Sequence, residues 1–245
     1  TGGGEAAAPP SDPGATQAVA ASPAASKTPG ATGATTAETG AGTFGTAADN
    51  LDKLTSYKYT VSISTTSSTG GAPSAAVAHT TSMSGTVINS PTKAYSLQLT
   101  DNGTTTSVIA IGSDVWLSSG SVFQQVPAAM SDTMVQTFTA YQPQKLFSIA
   151  FMANASFYKR VGEETKNGVA AIHFKGDQSL NSVYASMFGV NATFSEDVWI
   201  AKDGGFLVAS EIKTTGATAS AVGAYASVVN ITDVNSSSNK VVRPS

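Results

Sequence analysis

The stretch DVWIAKDGGFLVASEIK, residues 197–213, constrains the fold more than any other part of the chain. Two runs of strand formers meet at Asp203-Gly204, a pair suited to the positive φ of a tight turn, so the segment reads as a hairpin. Pairing outward from the turn sets Ala201 opposite Phe206, Ile200 opposite Leu207 and Trp199 opposite Val208. Both faces are then apolar near the turn. An antiparallel sheet needs one apolar face and leaves the other to water, so something must cover the second.

The rest of the chain repeats the strand signal. From Tyr57 the period is two, with Tyr57, Tyr59, Val61 and Ile63 on one face and Lys58, Thr60, Ser62 and Ser64 on the other. HTTSMSGTVINSP is a polar strand. KAYSLQLTDNGTTTSVIAIG is a hairpin turning near Asn102-Gly103, with Tyr95, Leu97 and Leu99 on one side. SDVWLSSGSVFQQVP supplies two short strands, SFYKRVGEETKNGVAAIHFKGD is a hairpin turning at Asn167-Gly168, and ASAVGAYASVVNITDVN closes the series as one long strand or two short ones.

Helical spacing interrupts the strands. Phe44, Ala47, Ala48, Leu51 and Leu54 form one stripe, and Met130, Met134, Phe138 and Tyr141 another. Pro143 opens a helix carrying Leu146, Phe147, Ile149, Ala150 and Phe151, and QSLNSVYASMFG predicts a short helix with Leu180, Val183, Tyr184 and Met187. The expectation is an α+β fold: about ten or eleven strands in one meandering antiparallel sheet with a small group of amphipathic helices.

Composition narrows the role. Charged residues make up 12% of the 245 positions and the formal net charge is -3, with no basic stretch dense enough to track a phosphate backbone, so nucleic acid is excluded as a partner. Without cysteine there is neither a disulfide framework nor a thiolate metal site. Residues 1–42 hold half of the 10 prolines and no aromatic, Leu or Ile. Such a segment cannot bury enough apolar surface to offset its ordering entropy. It reads as a disordered tether spanning on the order of 35 Å, or as a plain unstructured terminus, with residues 43–245 as the globular domain.

Catalytic signals are missing. His79 and His173 stand in strand-like segments with no acidic or second histidine ligand close in sequence, and no G-x-S-x-G elbow or phosphate-cradling glycine loop occurs. The acid pairs Glu163-Glu164 and Glu196-Asp197 fall beside predicted turns, where solvated charge explains them. No enzyme activity, metal or cofactor is expected.

The order of elements, including LTSYKYTVSIST, VGEETKNGVAAIHFKGD and DVWIAKDGGFLVASEIK, with the last hairpin and its Val-Trp-Ile-Ala run and the NGVAAIHFKGD strand as the most specific pieces, resembles the LppX/LprG-type bacterial lipoproteins over about residues 43–235, and more distantly the LolA/LolB half-barrel superfamily. The resemblance implies a strongly curved antiparallel half-barrel around a few helices, with an apolar cavity on the concave side for an acyl lipid or glycolipid. It also implies an extracytoplasmic protein held to the membrane surface by a lipid on an N-terminal cysteine, which would lie just before Thr1. An envelope transporter is a further partner it suggests.

On that reading Trp199, Ala201, Phe206, Val208 and Ile212 face the concave side. The cavity lining is expected from Tyr59, Val61, Ile63, Leu97, Leu99, Met134, Phe138, Phe147, Phe151, Trp199, Phe206 and Val208, chosen by strand parity and helix stripe. Met130, Met134, Met152 and Met187 suit either such a cavity or ordinary core packing. Ile200 and Leu207 are expected on the convex side, as scattered surface apolarity or a small docking patch. The alternative function is a solid-cored envelope module that binds a protein or glycan, or senses stress, without carrying lipid.

Overall fold

The structure, a computed structural model, describes residues 41–67, 77–150, 155–176, 193–215 and 222–244. Residues 1–40 of the expected tether, Phe151, Met152 and the helix expected over residues 178–189 lie outside these residues, and so does the side chain of Phe147, while the tether's last two residues, Ala41 and Gly42, belong to the first helix.

The chain enters through helix α1 (Ala41–Ala47) and a 3-10 turn (Asp49–Lys53). Their stripe of Phe44, Ala47, Ala48, Leu51 and Leu54 is buried throughout, as its spacing predicts. Then come β1 (Ser56–Ser67), β2 (Val77–Ile88), β3 (Ala94–Asp101), β4 (Thr104–Ile111), β5 (Asp114–Ser118) and the two-residue β6 (Gln124–Gln125). Helices α2 (Ala128–Thr139) and α3 (Pro143–Ala150) follow, and β7 (Tyr158–Lys166), β8 (Val169–Gly176), β9 (Thr193–Ala201), β10 (Leu207–Thr215) and β11 (Val222–Thr232) complete the series.

These strands form one 11-stranded antiparallel sheet in the order β6-β5-β4-β3-β2-β1-β11-β10-β9-β8-β7. The sheet is an open, curved half-barrel, and its connectivity is not one continuous meander. Two meanders, β1 to β6 and β7 to β11, are joined in the middle by the first and last strands, with Val61 opposite Val229. The chain therefore leaves at one edge and returns at the other. The segment that makes this crossing carries α2 and α3, which is why the helices belong to one face.

Tight turns fix the register. Asn102 and Gly103 at φ 46 and 82, and Asn167 and Gly168 at φ 53 and 79, both adopt the left-handed conformation of a two-residue hairpin turn. In the β9–β10 turn the positive φ falls on Gly204 and Gly205 rather than on Asp203.

Cross-strand pairing sorts the two faces. Tyr59 pairs with Gly85, which pairs with Leu97, which pairs with Val108. These side chains form one row on the helix-facing side. Gly85 permits this row to close: a Cβ there would lie 2.6 Å from the Tyr59 ring and 2.5 Å from the Ser96 carbonyl oxygen. On the other face Thr60, Ser84, Gln98 and Ser107 follow the same register, so hydroxyls and amides replace the aliphatic row.

The residues after β11 tie the two ends of the domain together. The Asn235 side chain accepts from the Thr55 backbone N–H at 2.7 Å, and Asn239 donates to the Ser56 hydroxyl at 2.9 Å. Arg243 donates to Asp114 at 2.7 Å and lies 5.0 Å from the centre of the Trp116 ring.

Candidate functional site: the helix-facing side of the sheet

Of the expected lining, Tyr59, Val61 and Leu97 are buried on the helix-facing side, and Ile63, Leu99, Met134 and Phe138 are half-buried against the same core. Register brings the strand members together: Val61 pairs with Met83, and Met83 with Leu99. Phe206 and Val208 are also buried.

Trp199 is a correction. Along β9 the residues facing the helices are Phe194, Glu196, Val198 and Ile200, since Val198 pairs with Phe174, whose ring packs edge-on against Phe44 of α1 at 4.7 Å. Trp199 alternates to the opposite, outer face. There its ring stacks on His173 at 4.6 Å, the Lys166 ammonium sits 3.8 Å from its centre, and its Nε1 donates to Glu164 Oε1 at 2.5 Å. Charged side chains cover the indole and leave it 6% exposed.

Ile200 and Leu207 are the matching correction: both are fully buried, so neither forms a convex patch. Ile200 pairs with Leu207, but Trp199 pairs with Ala209 rather than Val208, because one extra residue is accommodated between Leu207 and Ala209. That bulge resets strand parity. It lets Leu207 and Ile212, five positions apart, both point toward the helices. Ala201, paired with Ala171 beside the His173–Trp199 pair, follows Trp199 to the outer face.

Two further expectations change. The sequence reading left both histidines without acidic neighbours, yet His173 lies between Asp197 at 2.8 Å and Glu164 at 3.3 Å, and His79 lies 3.2 Å from Asp101. Strand pairing supplies these partners from distant positions. Glu196 is not a solvated turn residue: it is fully buried in the middle of β9, and the Tyr158 hydroxyl donates to its Oε2 at 2.7 Å. Its alternation with Phe194 and Val198 was the available signal. Met130, placed on the inward stripe of α2, is 50% exposed.

Among the described residues no group of three or more His, Cys, Asp or Glu side chains is arranged to hold a metal ion, and no helix is long and apolar enough to cross a membrane. Glu163 is held below the usual carboxylate range, first by the hydrogen bond from Lys202 and further by Arg160. This ion cluster lies on the surface, where exposed pairs contribute little.

Three hollows bear on binding. One of about 420 Å³ lies where the turn Asp49–Lys53, the β2–β3 connection, α2 and the start of α3 meet, with Val87, Tyr95 and Ala110 from the helix-facing side in its wall. A second, about 290 Å³, lies beside β5 and α2 and is lined by Leu117, Val122, Val126, Pro127, Met130 and Met134 among others. A third, about 450 Å³ and shallow, is on the outer face, lined mainly by Lys58, Thr60, Ser84, Thr86, Ser96 and Gln98.

No protein-family profile matches this chain, and no curated protein sequence does. Solved structures do resemble it. The Mycobacterium tuberculosis lipoprotein LppX is 17% identical, with 81% of this chain and 96% of that chain covered and a TM-score of 0.41. LprF from Mycobacterium bovis is 11% identical over 83% of this chain and 95% of its own, at a TM-score of 0.45. A LolA superfamily protein from Nitrosomonas europaea is 12% identical over 82% and 94%, at 0.21.

Proposed function

We propose that this chain is an extracytoplasmic carrier or holder of acyl lipids or glycolipids, with the acyl chain lying against the helix-facing side of the sheet. The observation that supports it is a band of apolar side chains between the sheet and the helices that stay partly exposed: Ile63, Leu99 and Leu117 from the strands, and Met134, Phe138 and Tyr141 from α2 and the residues just after it. A face sealed by its own helices would bury them, as it buries Val61 and Ile231. The outer face along β1 to β4 is rich in Ser, Thr and Gln, so apolar surface is concentrated where a ligand would lie.

The energetics suit a carrier. An acyl chain of about sixteen carbons left in water would cost on the order of 10 kcal/mol. Moving it from bilayer interior to protein interior exchanges one apolar medium for another and is near neutral, so transfer can run either way. Met134 adds an adaptable surface because a thioether repacks around different chains. Val122 and Met130, 72% and 50% exposed beside the hollow next to α2, offer a contact point with a bilayer during loading. A lipid-bearing cysteine ahead of Thr1 and an envelope transporter as recipient complete this reading. It involves no catalytic step.

Uptake of a fluorescent fatty acid by delipidated protein tests it. Saturable binding, weakened about tenfold or more by Phe138→Asp because a charge would then face the chain, is the expected result. Absence of uptake by well-folded protein overturns the reading.

The shallow outer hollow supports a second reading, in which the hydroxyl-rich face binds a glycan or a protein instead. Binding abolished by Thr60→Lys together with Gln98→Lys, with no lipid uptake at all, would favour it.

A further inference from the structure

The outer face of the half-barrel changes character partway across. On β8 to β10 it carries Lys175, Asp197, Glu211 and Lys213, the charges a water-facing sheet ordinarily shows. From β11 through β1 to β4, Lys58 is its one charged side chain among the described residues, and Asp233 pairs with it at 2.7 Å. Hydroxyls and amides take most of the other positions. The chain's general wealth of Ser and Thr does not explain this, because the same face is charged a few strands away.

Two hollows open on the uncharged half. The larger, about 450 Å³, lies between two rows that cross the strands, Lys58, Thr86 and Ser96 on one side and Thr60, Ser84, Gln98 and Ser107 on the other. Between the rows Tyr59 and Leu97 send their side chains to the helices and Gly85 has none, so backbone forms the floor. A smaller hollow of about 240 Å³ continues from Thr60, Ser84 and Gln98 toward Ser62, Ser82 and Thr100. Thr60, Ser84 and Gln98 are exposed, and their side chains make no hydrogen bond among the described residues. Their donors and acceptors stand open to whatever lies in the hollow.

Spacing and charge select the occupant. The row repeats once per strand, about every 4.8 Å, close to the length of one ring in an extended β-1,4-linked sugar chain. Laid across β1 to β4, such a chain meets one hydroxyl or amide per ring over about 14 Å. The half-buried Phe123, from the β5–β6 connection, stands in the same wall and offers its ring to a sugar C–H face. An ionic polymer finds no unmatched charge here, and a protein partner would seek a centre of aromatic, Met or Arg anchors that this face does not carry.

We propose that this hollow binds a neutral, extended polysaccharide chain running across the strands. It lies on the opposite side of the sheet from the apolar band, so its occupant is not the headgroup of an acyl ligand on the helix-facing side. The two ligands can be held at once, which would keep a lipid carrier close to an envelope glycan. The site stands independently of the carrier reading.

Calorimetric titration with cellohexaose, chitohexaose, cellobiose and maltohexaose tests it. One or both of the β-1,4-linked hexamers bind at least about tenfold more tightly than cellobiose, whose two rings span two strands only, and than maltohexaose, whose α-linkages curl the chain off the row. Added sodium chloride leaves that affinity unchanged, since no net charge is matched. Ser84→Ala together with Gln98→Ala, both exposed and bonded to nothing in the fold, lowers it about tenfold or more and leaves uptake of a fluorescent fatty acid as it was. Lys213→Ala, on the charged half, changes neither. Binding of neither hexamer, equal binding of maltohexaose, loss of affinity in salt, or an affinity unchanged in the double variant overturns the site, and fatty acid uptake in the same preparation leaves the carrier reading standing. Hexamer binding without fatty acid uptake keeps the site and overturns the carrier reading.

Discussion

At the scale of single residues, the most informative positions are those where chemistry and burial disagree. Trp199 is apolar but sits on the outer face, shielded by His173 and Lys166, while Glu196 is polar but sits fully buried on the helix-facing side beside Tyr158. A sequence reading that ranks side chains by hydrophobicity inverts both, because burial is decided by strand parity first. Gly85 is the opposite case, a position whose requirement is the absence of a side chain. Gly85→Ala drives a methyl into the Tyr59 ring and the Ser96 carbonyl. It is expected to destabilise the fold by about 1–3 kcal/mol, read as a lower urea midpoint. An unchanged midpoint would mean that the two strands are not held this closely. Tyr158→Phe removes a hydrogen bond to the buried Glu196 carboxyl group and should cost about 1–3 kcal/mol in the same assay.

At the scale of elements, the strands and their turns were legible and the faces of the last hairpin were not. Period two and the Asn-Gly turns place β1, β3, β4, β7 and β8 as predicted, and the β1 face of Tyr57, Tyr59 and Val61 is buried as expected. In β9 and β10 apolar residues occupy both faces, so alternation carries no information there. The bulge near Val208 then shifts parity partway along the strand. No local signal marks that extra residue. Its role can be tested by deleting Val208, which should force Leu207 or Ile212 off the helix-facing side. Since burying such a side chain is worth about 1.5–3 kcal/mol, the deletion should lower the thermal midpoint by several degrees. If the midpoint is retained, the bulge does not set the register. The outer position of Trp199, and of Trp116 beneath Arg243, yields another expectation: acyl chains brominated near their ends should quench tyrosine far more than tryptophan emission.

At the scale of the whole molecule, the path from β6 to β7 explains why a chain of ordinary strand signals ends up with helices on one side only. A single meander would have left the sheet uncovered, whereas pairing β1 with β11 sends the connecting helices across one face. That arrangement concentrates tyrosines as well as aliphatic groups inside. Burial raises the pKa of Tyr57 and Tyr59 well above 10.0 and that of Tyr95 to about 12. Below pH 10 neither folded nor unfolded chain ionises them, so their contribution is intact. Above it the unfolded chain releases protons that the folded chain retains, and stability falls as pH rises from 10 toward 12. Tyrosinate absorbance and circular dichroism should therefore change together in that window. Tyrosinate formation complete by pH 11 with the fold unchanged would show these hydroxyls to be open to water.

The central claim is that an acyl chain occupies the helix-facing side of the half-barrel. Native mass spectrometry of the protein purified from a cell envelope without detergent tests it most directly. The account predicts discrete adducts of lipid mass that disappear on organic extraction and return when lipid is added back. A single bare-chain mass before and after incubation with lipid, from protein whose circular dichroism is native, would contradict it.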